Sequence, residues 1–564
     1  MINRRNFLKR SAQLGVLAAS AKFSNADASV RNAPEAMQEL RIPPVITGGE
    51  LTLAKASAQL YPGINTDMYL VNNSFPAPTI RVKKGDTFTA NIHNNLGENS
   101  ILHWHGIHAP SEMGGHPKYA IDSGNSYSVN FPIKQRAGAS FYHAHPNMNM
   151  ATGVGTGKQV YMGIAGLFIV EDDEEKALGL PSGEFEIPLM ITDKRFDANS
   201  QLIYDPSTVD INSGWLGDTI LINGTPNAFV NVAPTLYRFR VVNASNSRFY
   251  KLALADGKTF TVIGNDGGFM EKPIQMSAAW LAPAERLDIL IDFSSYTVGQ
   301  SVILQSLKFT FSDGPGSGTV AQGAAMNLLL FQVTKSVVTN GTVPTALPAI
   351  EKYNVADAKR TRTWIFAATH HVNEHNYSLD LIDANVPIQD LERWEFVSEA
   401  QNTHPIHVHG SYFQVLNRNG APPDPTEGGW KDVVRLDPQG TVNVLVKFTE
   451  YTGLFLIHCH KLEHADGGMM ANFIVDAIGS VPQPKIAQGN LHITPNPATS
   501  YAMLSFPALT NDERISIVDL KGAMLVDELI ERGSTQYAVS TAEMAVGHYH
   551  ISLGQERATL VVLR

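Results

Sequence analysis

Ten of the 19 histidines fall in four tight clusters, and each cluster contains a His-x-His pair. The clusters are His103-Trp104-His105, His143-Ala144-His145, His404-Pro405-Ile406-His407-Val408-His409 and His458-Cys459-His460, the last followed by His464. Alternate side chains of a strand share one face, so each pair sends both imidazoles to the same side. A single pair is ordinary on a surface strand. Four sets constrain the fold far more, because a sheet protein that buries so many imidazoles must give their nitrogens partners. Imidazole suits copper, zinc, iron and nickel, so the histidines alone do not name a metal.

The fourth cluster narrows the choice. In an extended segment Cys459 points opposite to His458 and His460. Its thiolate then binds one metal centre while its neighbours reach another behind the strand, and the two centres are joined through one residue's backbone. Two histidines, a cysteine and a weak methionine form the blue-copper arrangement. Cys459, His464 and Met469 stand at five-residue steps in one loop, and His404 can supply the fourth member. Met470 is the alternative axial ligand, but the regular step favours Met469. An isolated cysteine is ordinarily a small buried hydrophobe; one set between two histidines reads as a ligand. As the chain's one cysteine, Cys459 also excludes intrachain disulfides and multi-cysteine metal sites.

The scaffold reads as all-β. Between residues 45 and 480 short β-branched and aromatic runs are punctuated by Gly, Pro, Asn and Asp. In the run Thr87-Phe88-Thr89-Ala90-Asn91-Ile92 the apolar residues share one face by the period of two. Similar strands recur at 237–242, 287–293 and 442–448, and 171–178 is one short helical candidate. Sandwiches or barrels of Greek-key type follow. The 564 residues suffice for three or four domains. A formal net charge of −10 lacks the basic surplus of a nucleic-acid binder, and no apolar run is long enough for a transmembrane segment.

Both ends read as addresses. Arg4-Arg5-Asn6-Phe7-Leu8-Lys9, a mild apolar run and Ala26-Asp27-Ala28 resemble a twin-arginine-type signal peptide over 1–28. Residues 481–490 suit a linker. From 491 to 564 short strand-like runs alternate with turns, which predicts a small β-sandwich. Its Pro495-Asn496-Pro497-Ala498 opening, Asp519-Leu520-Lys521-Gly522 turn and Gly547-His548-Tyr549 step resemble the C-terminal sorting module of type IX secretion. The protein is expected to be exported by machinery that reads both termini, to the periplasm or, if the module sorts, to the cell surface or medium.

Together the four clusters, in this order, resemble the multicopper oxidases. The likeness to bacterial three-domain members rests on Lys158-Gln159-Val160-Tyr161-Met162-Gly163-Ile164-Ala165-Gly166, on Gly217-Asp218-Thr219-Ile220-Leu221-Ile222-Asn223-Gly224 and on Gly429-Trp430-Lys431-Asp432. The resemblance implies three cupredoxin-like Greek-key β-barrel domains, at 45–172, 173–335 and 350–480, with copper ligands in the first and third. It implies four copper ions. His404, Cys459 and His464, with Met469 axial, would bind the type 1 copper. His103 and His407 would bind type 2. His105, His143 and His460 would hold one type 3 copper, and His145, His409 and His458 the other. Cys459, His458 and His460 would carry electrons between the centres, from a reducing substrate to dioxygen.

Two departures stand out. Glu112-Met113-Gly114-Gly115 lacks the aspartate that many relatives carry after the first cluster, and Ala465 replaces a glutamate after the type 1 histidine. Both carboxylates serve proton delivery in the family, so Glu112, Asp466 or Glu463 is expected to substitute. No methionine-rich insert lies between residues 335 and 400, and 312–323 reads as a flexible Gly- and Ser-rich loop. The resemblance implies a laccase-like oxidase of phenols or aromatic amines. The alternatives are a cuprous-ion, Cu(I), oxidase for copper tolerance and a non-catalytic copper-binding envelope protein.

Overall fold

The computed structural model describes residues 36–476 and 491–562, apart from 150–151, 312–316, 338–339, 369, 374, 495–497, 499, 520–522, 543 and 555. The signal expected at 1–28 and the linker expected at 481–490 lie outside the described residues. The chain divides into two compact units, Met1–Ile478 and Gly479–Arg564.

The larger unit stacks three β-sandwiches, and the fold is all-β with cupredoxin-like domains. The alternation read in the sequence builds the sheets: along Thr87–Asn95 the side chains of Phe88, Ala90 and Ile92 are buried between exposed or half-buried neighbours. That strand pairs with Gly49–Tyr61 and Ser126–Pro132 in a four-stranded sheet. It packs through Phe88, Trp104 and Phe168 onto a five-stranded sheet containing Leu102–His105, Gly138–Ala144 and Ala165–Glu171. The second sandwich joins a seven-stranded to a six-stranded sheet around Tyr237, Phe239 and Phe331. Its sheet also takes in Gln38–Glu39, parallel to Ala228–Val232, ahead of the first sandwich in the chain. The third packs a four-stranded sheet on a five-stranded one around Trp364, Trp394 and Phe473. Strands expected at 237–242, 287–293 and 442–448 form as Leu236–Asn243, Arg286–Asp292 and Thr441–Lys447. The helix expected within 171–178 is Asp173–Ala177, capped by the Asp172 side chain.

The smaller unit is a β-sandwich of a three-stranded and a four-stranded sheet, with Leu504, Ile517 and Ile551 in its core. Among the described residues no helix is long and apolar enough to cross a membrane.

Candidate metal centre

Two antiparallel strand pairs deliver the histidines. Leu102–His105 pairs with Gly138–Ala144 so that His103 lies opposite His143. His404–Val408 pairs with Gly453–Cys459 so that His407 lies opposite His458. His145, His409 and His460 stand just past their strand ends. The His-x-His geometry then turns eight buried rings into one cage: His103, His105, His143, His145, His407, His409, His458 and His460.

Within the cage, ring nitrogens face each other in pairs. Nε2 of His103 is 3.2 Å from Nε2 of His407, His409 3.1 Å from His458, and His143 3.4 Å from His460. His145 gathers with His409 and His458 within 4.8 Å. The rings of His103 and His409 stack at 3.8 Å and those of His105 and His407 at 3.7 Å. Burial, and after it mutual repulsion, hold His103, His105, His145, His407, His409 and His460 well below the ordinary histidine pKa. Burial lowers His143 and His458 to about 4. All eight are neutral at pH 7.

The hydrogen bonds then fix which nitrogen is bare. His103 Nδ1 donates to the Gly114 carbonyl at 2.7 Å, and His407 Nδ1 to the Asp432 carbonyl at 2.8 Å. A neutral imidazole has one proton, so the two Nε2 atoms that face each other both carry lone pairs. Nothing in the protein separates them, and a cation between them removes the repulsion. His143 Nδ1 and His458 Nδ1 donate to the carbonyls of Ala144 and Cys459, leaving their Nε2 atoms bare as well. Both nitrogens of buried His145 have no hydrogen-bond partner. Metal-bound imidazoles ordinarily donate their other nitrogen to such a carbonyl or carboxylate. Gly115 makes the Gly114 contact possible: its φ is +85°, and a β-carbon there would fall 2.3 Å from the His103 Cα.

On the other face of the Cys459 strand lies a second, three-membered group. Sγ of Cys459 is 3.4 Å from His404 Nδ1 and 3.7 Å from His464 Nδ1, and the two nitrogens are 3.2 Å apart. These separations allow one ion, lying slightly out of their plane, to sit about 2.0–2.1 Å from both nitrogens and about 2.3 Å from the sulfur, the usual metal–imidazole and metal–thiolate lengths. Burial, then the charge of Lys461, hold both imidazoles well below the usual range. His464 Nε2 donates to the Asn212 carbonyl at 3.0 Å, which leaves Nδ1 bare toward the sulfur. Met469 is fully buried in the same core cluster as Cys459, and its carbonyl accepts from the Cys459 amide at 3.1 Å. Met470 packs instead with Leu456 and Ala465 in a separate cluster. Imidazole and thiolate donors suit copper and exclude a magnesium or calcium site.

The comparisons with known proteins agree with this chemistry. Family profiles described as multicopper oxidase match residues 52–175, 187–325 and 343–478. The laccase of Bacillus subtilis strain 168 is 31% identical over 489 residues, covering 75% of this chain and 93% of that protein. The chain belongs to the multicopper oxidases. This oxidase is also 31% identical to cell division protein FtsP of Escherichia coli K12, covering 85% of this chain and 99% of that one. The crystal structure of McoA multicopper oxidase from Aquifex aeolicus is similar with a TM-score of 0.72 and 35% identity, covering 78% of this chain and all of that one. A profile described as a secretion system C-terminal sorting domain matches residues 492–562.

The three carboxylates expected to substitute for the missing pair each have partners of their own. Glu112 is exposed and accepts from Ser111. Asp466 accepts from the Thr156 and Gly157 amides, each at 2.8 Å. Glu463 accepts from Tyr204, Asn246, Ser247 and the Trp215 amide. Among the described residues, Asp432 directs a carboxylate to the cage, with Oδ1 3.3 Å from His105 Nε2. Sequence reasoning quoted its motif for likeness and missed its contact. It missed equally that Asn212 closes the Nε2 edge of His464, because both contacts arise from packing between sandwiches.

Proposed function

We propose that the oxidase couples one-electron oxidation of a small reductant at a type 1 copper to four-electron reduction of dioxygen to two waters at a three-copper cluster. His404, Cys459 and His464, with Met469 axial, would hold the first. His103 and His407 would hold the type 2 ion. His105, His143 and His460, and then His145, His409 and His458, would hold the type 3 pair. Copper supplies the one-electron exchange and, clustered, the capacity to deliver four electrons together. The chain supplies the rest. Cys459 is covalently continuous with His458 and His460, and its carbonyl also accepts from His458 Nδ1 at 2.9 Å, a second short path for charge between the sites. Burial keeps the ten imidazoles unprotonated and excludes bulk water. The observation that carries this reading is the set of bare nitrogens aimed at one another within a single buried cage.

The reductant is proposed to be a phenol or aromatic amine, as for laccases. One observation favours a cuprous ion instead: the Asn212 carbonyl occupies the His464 edge, so a bulky ring meets the helix Thr208–Ser213 before it meets the ligand. The alternative, a non-catalytic copper-binding envelope protein, is opposed by the complete donor set; FtsP is described as a cell division protein. The proposed domain limits are 45–172, 173–335 and 350–480, with a twin-arginine-type signal at 1–28 that takes the folded protein to the periplasm and a sorting module at 491–564 that directs it on to the cell surface or medium. Metal analysis with a visible spectrum, then oxygen uptake with a phenol, with Cu(I) and with neither, tests the proposal. Four coppers, an intense blue band and uptake with a reductant are expected; zinc alone, or copper without uptake, returns the non-catalytic reading.

A further inference from the structure

The second sandwich, between residues 173 and 335, contains no histidine, yet one of its side chains reaches the back of the cage. Arg286 is fully buried at the start of Arg286–Asp292. A guanidinium has five N–H donors in a rigid fork, and here each one is used. Nη1 donates to Asp432 Oδ1 at 2.6 Å and to the Ala284 carbonyl at 2.9 Å. Nη2 donates to Asp432 Oδ2 at 2.5 Å and to the Asp266 carbonyl at 3.0 Å, and Nε to the Ala139 carbonyl at 3.2 Å. Ala139 lies on the strand that carries His143, and Asp432 belongs to the third sandwich. One cation therefore ties all three sandwiches together.

Asp432 passes that constraint to two rings. Its Oδ1 accepts from His105 Nε2 at 3.3 Å, and its main-chain carbonyl accepts from His407 Nδ1 at 2.8 Å. His105 then differs from its neighbours: its Nε2 carries the proton, and its Nδ1 is buried with no partner, so Nδ1 is the bare nitrogen. His105 and His407 stack at 3.7 Å, so fixing either ring fixes both. The fit leaves no slack. Gly106 has φ +83°, and a β-carbon there would fall 2.7 Å from Arg286 Nη2 and 2.9 Å from Asp432 Oδ2.

We propose that Arg286 and Asp432 are positioning residues for the histidine cage: a bidentate guanidinium from the histidine-free sandwich holds Asp432, whose carboxylate turns His105 to present Nδ1 and whose main-chain carbonyl turns His407 to present Nε2. This rests on the copper reading above. A lysine at 286 keeps the charge and loses the fork; an asparagine at 432 keeps the shape and loses the charge that orients the fork.

The test uses full-length, copper-loaded protein with Asp432→Asn, Arg286→Lys and the control Lys431→Met. Lys431 pairs with Asp266 and Glu285, each at 2.9 Å, in the same buried charge cluster without bonding a histidine. Copper per chain, blue absorption, paramagnetic resonance of the cage and thermal unfolding are measured for each. Wild type must hold four coppers; if it does not, the copper reading and this proposal fall together. With wild type loaded, both positioning variants are expected to keep the blue band and lose at least one copper per chain or the magnetic coupling of the type 3 pair, with a roughly 10–100-fold fall in oxygen uptake. Lys431→Met is expected to unfold at lower temperature with the cage intact. Full copper, an unchanged cage signal and wild-type uptake in Asp432→Asn or Arg286→Lys overturn the proposal. So does equal copper loss in all three variants, which makes the cluster a structural clamp alone. Should Asp432→Asn fail to fold, Arg286→Lys decides by the same criteria.

Discussion

Cys459 works because a strand has two faces. Its sulfur faces His404 and His464, while His458 and His460 on either side face the cage. We expect Cys459→Ser to abolish the intense blue absorption and oxygen uptake while the chain remains folded. The exchange replaces a sulfur by a smaller hydroxyl at a buried position, with a stability cost of about 1–2 kcal/mol. Persistence of the colour in the visible spectrum would show that another group binds the type 1 ion. The histidine and cysteine placement was legible because covalent spacing alone dictates which side chains share a strand face. Asp432 and Asn212 were not. Their partners lie 327 and 252 residues away in the chain, and no local pattern encodes a contact made by packing one sandwich on another.

The helix Thr208–Ser213 lies against the Cys459 group, its Asn212 carbonyl accepting from His464 Nε2. Its capping box joins Ser207 and Asp210 reciprocally. Asp210 also accepts from Ser317 Oγ at 2.6 Å and from Arg195 at 3.0 Å. The 312–323 segment, expected to be flexible, is therefore anchored over its described part: Ser317 binds Asp210, and the carbonyls of Val320 and Ala321 accept from Arg248. Composition indicated a loop correctly, but glycine and serine content does not reveal hydrogen bonds supplied by distant residues. Replacing Asp210 with alanine releases the cap, the serine and the arginine together. We expect Asp210→Ala to lower KM for a bulky phenol several-fold while leaving the blue band and uptake with Cu(I) unchanged. Steady-state oxygen uptake with the two reductants measures this. Strand alternation, by contrast, was readable in detail, because burial on one face of Thr87–Asn95 follows from a period of two.

Across the whole molecule, the seam between the first and second sandwiches is charged. Burial would raise the Glu186 carboxyl, but the guanidinium groups of Arg240 and then Arg81 overcome it and hold the pKa down to about 2. A depressed carboxylate contributes stability that is complete above its unfolded pKa, near 4.5, and is lost as pH falls through about 2. The shift corresponds to about 3 kcal/mol. Glu186→Gln should therefore flatten the acid side of the stability curve between these pH values, measured by denaturant unfolding at each pH. The division into Met1–Ile478 and Gly479–Arg564 makes a separate expectation. A chain ending at Ile478 should keep its melting temperature within about 2 °C and its oxygen uptake, and lose its delivery by the sorting route, read by cell fractionation.

The two groups of donors also differ in how many folded sandwiches each requires. His404, Cys459 and His464 come from a single sandwich, whereas the cage needs residues from both ends of the larger unit. Because one group needs a single folded sandwich and the other needs two brought together, stepwise copper titration of apoprotein is expected to turn it blue ahead of any appetite for oxygen.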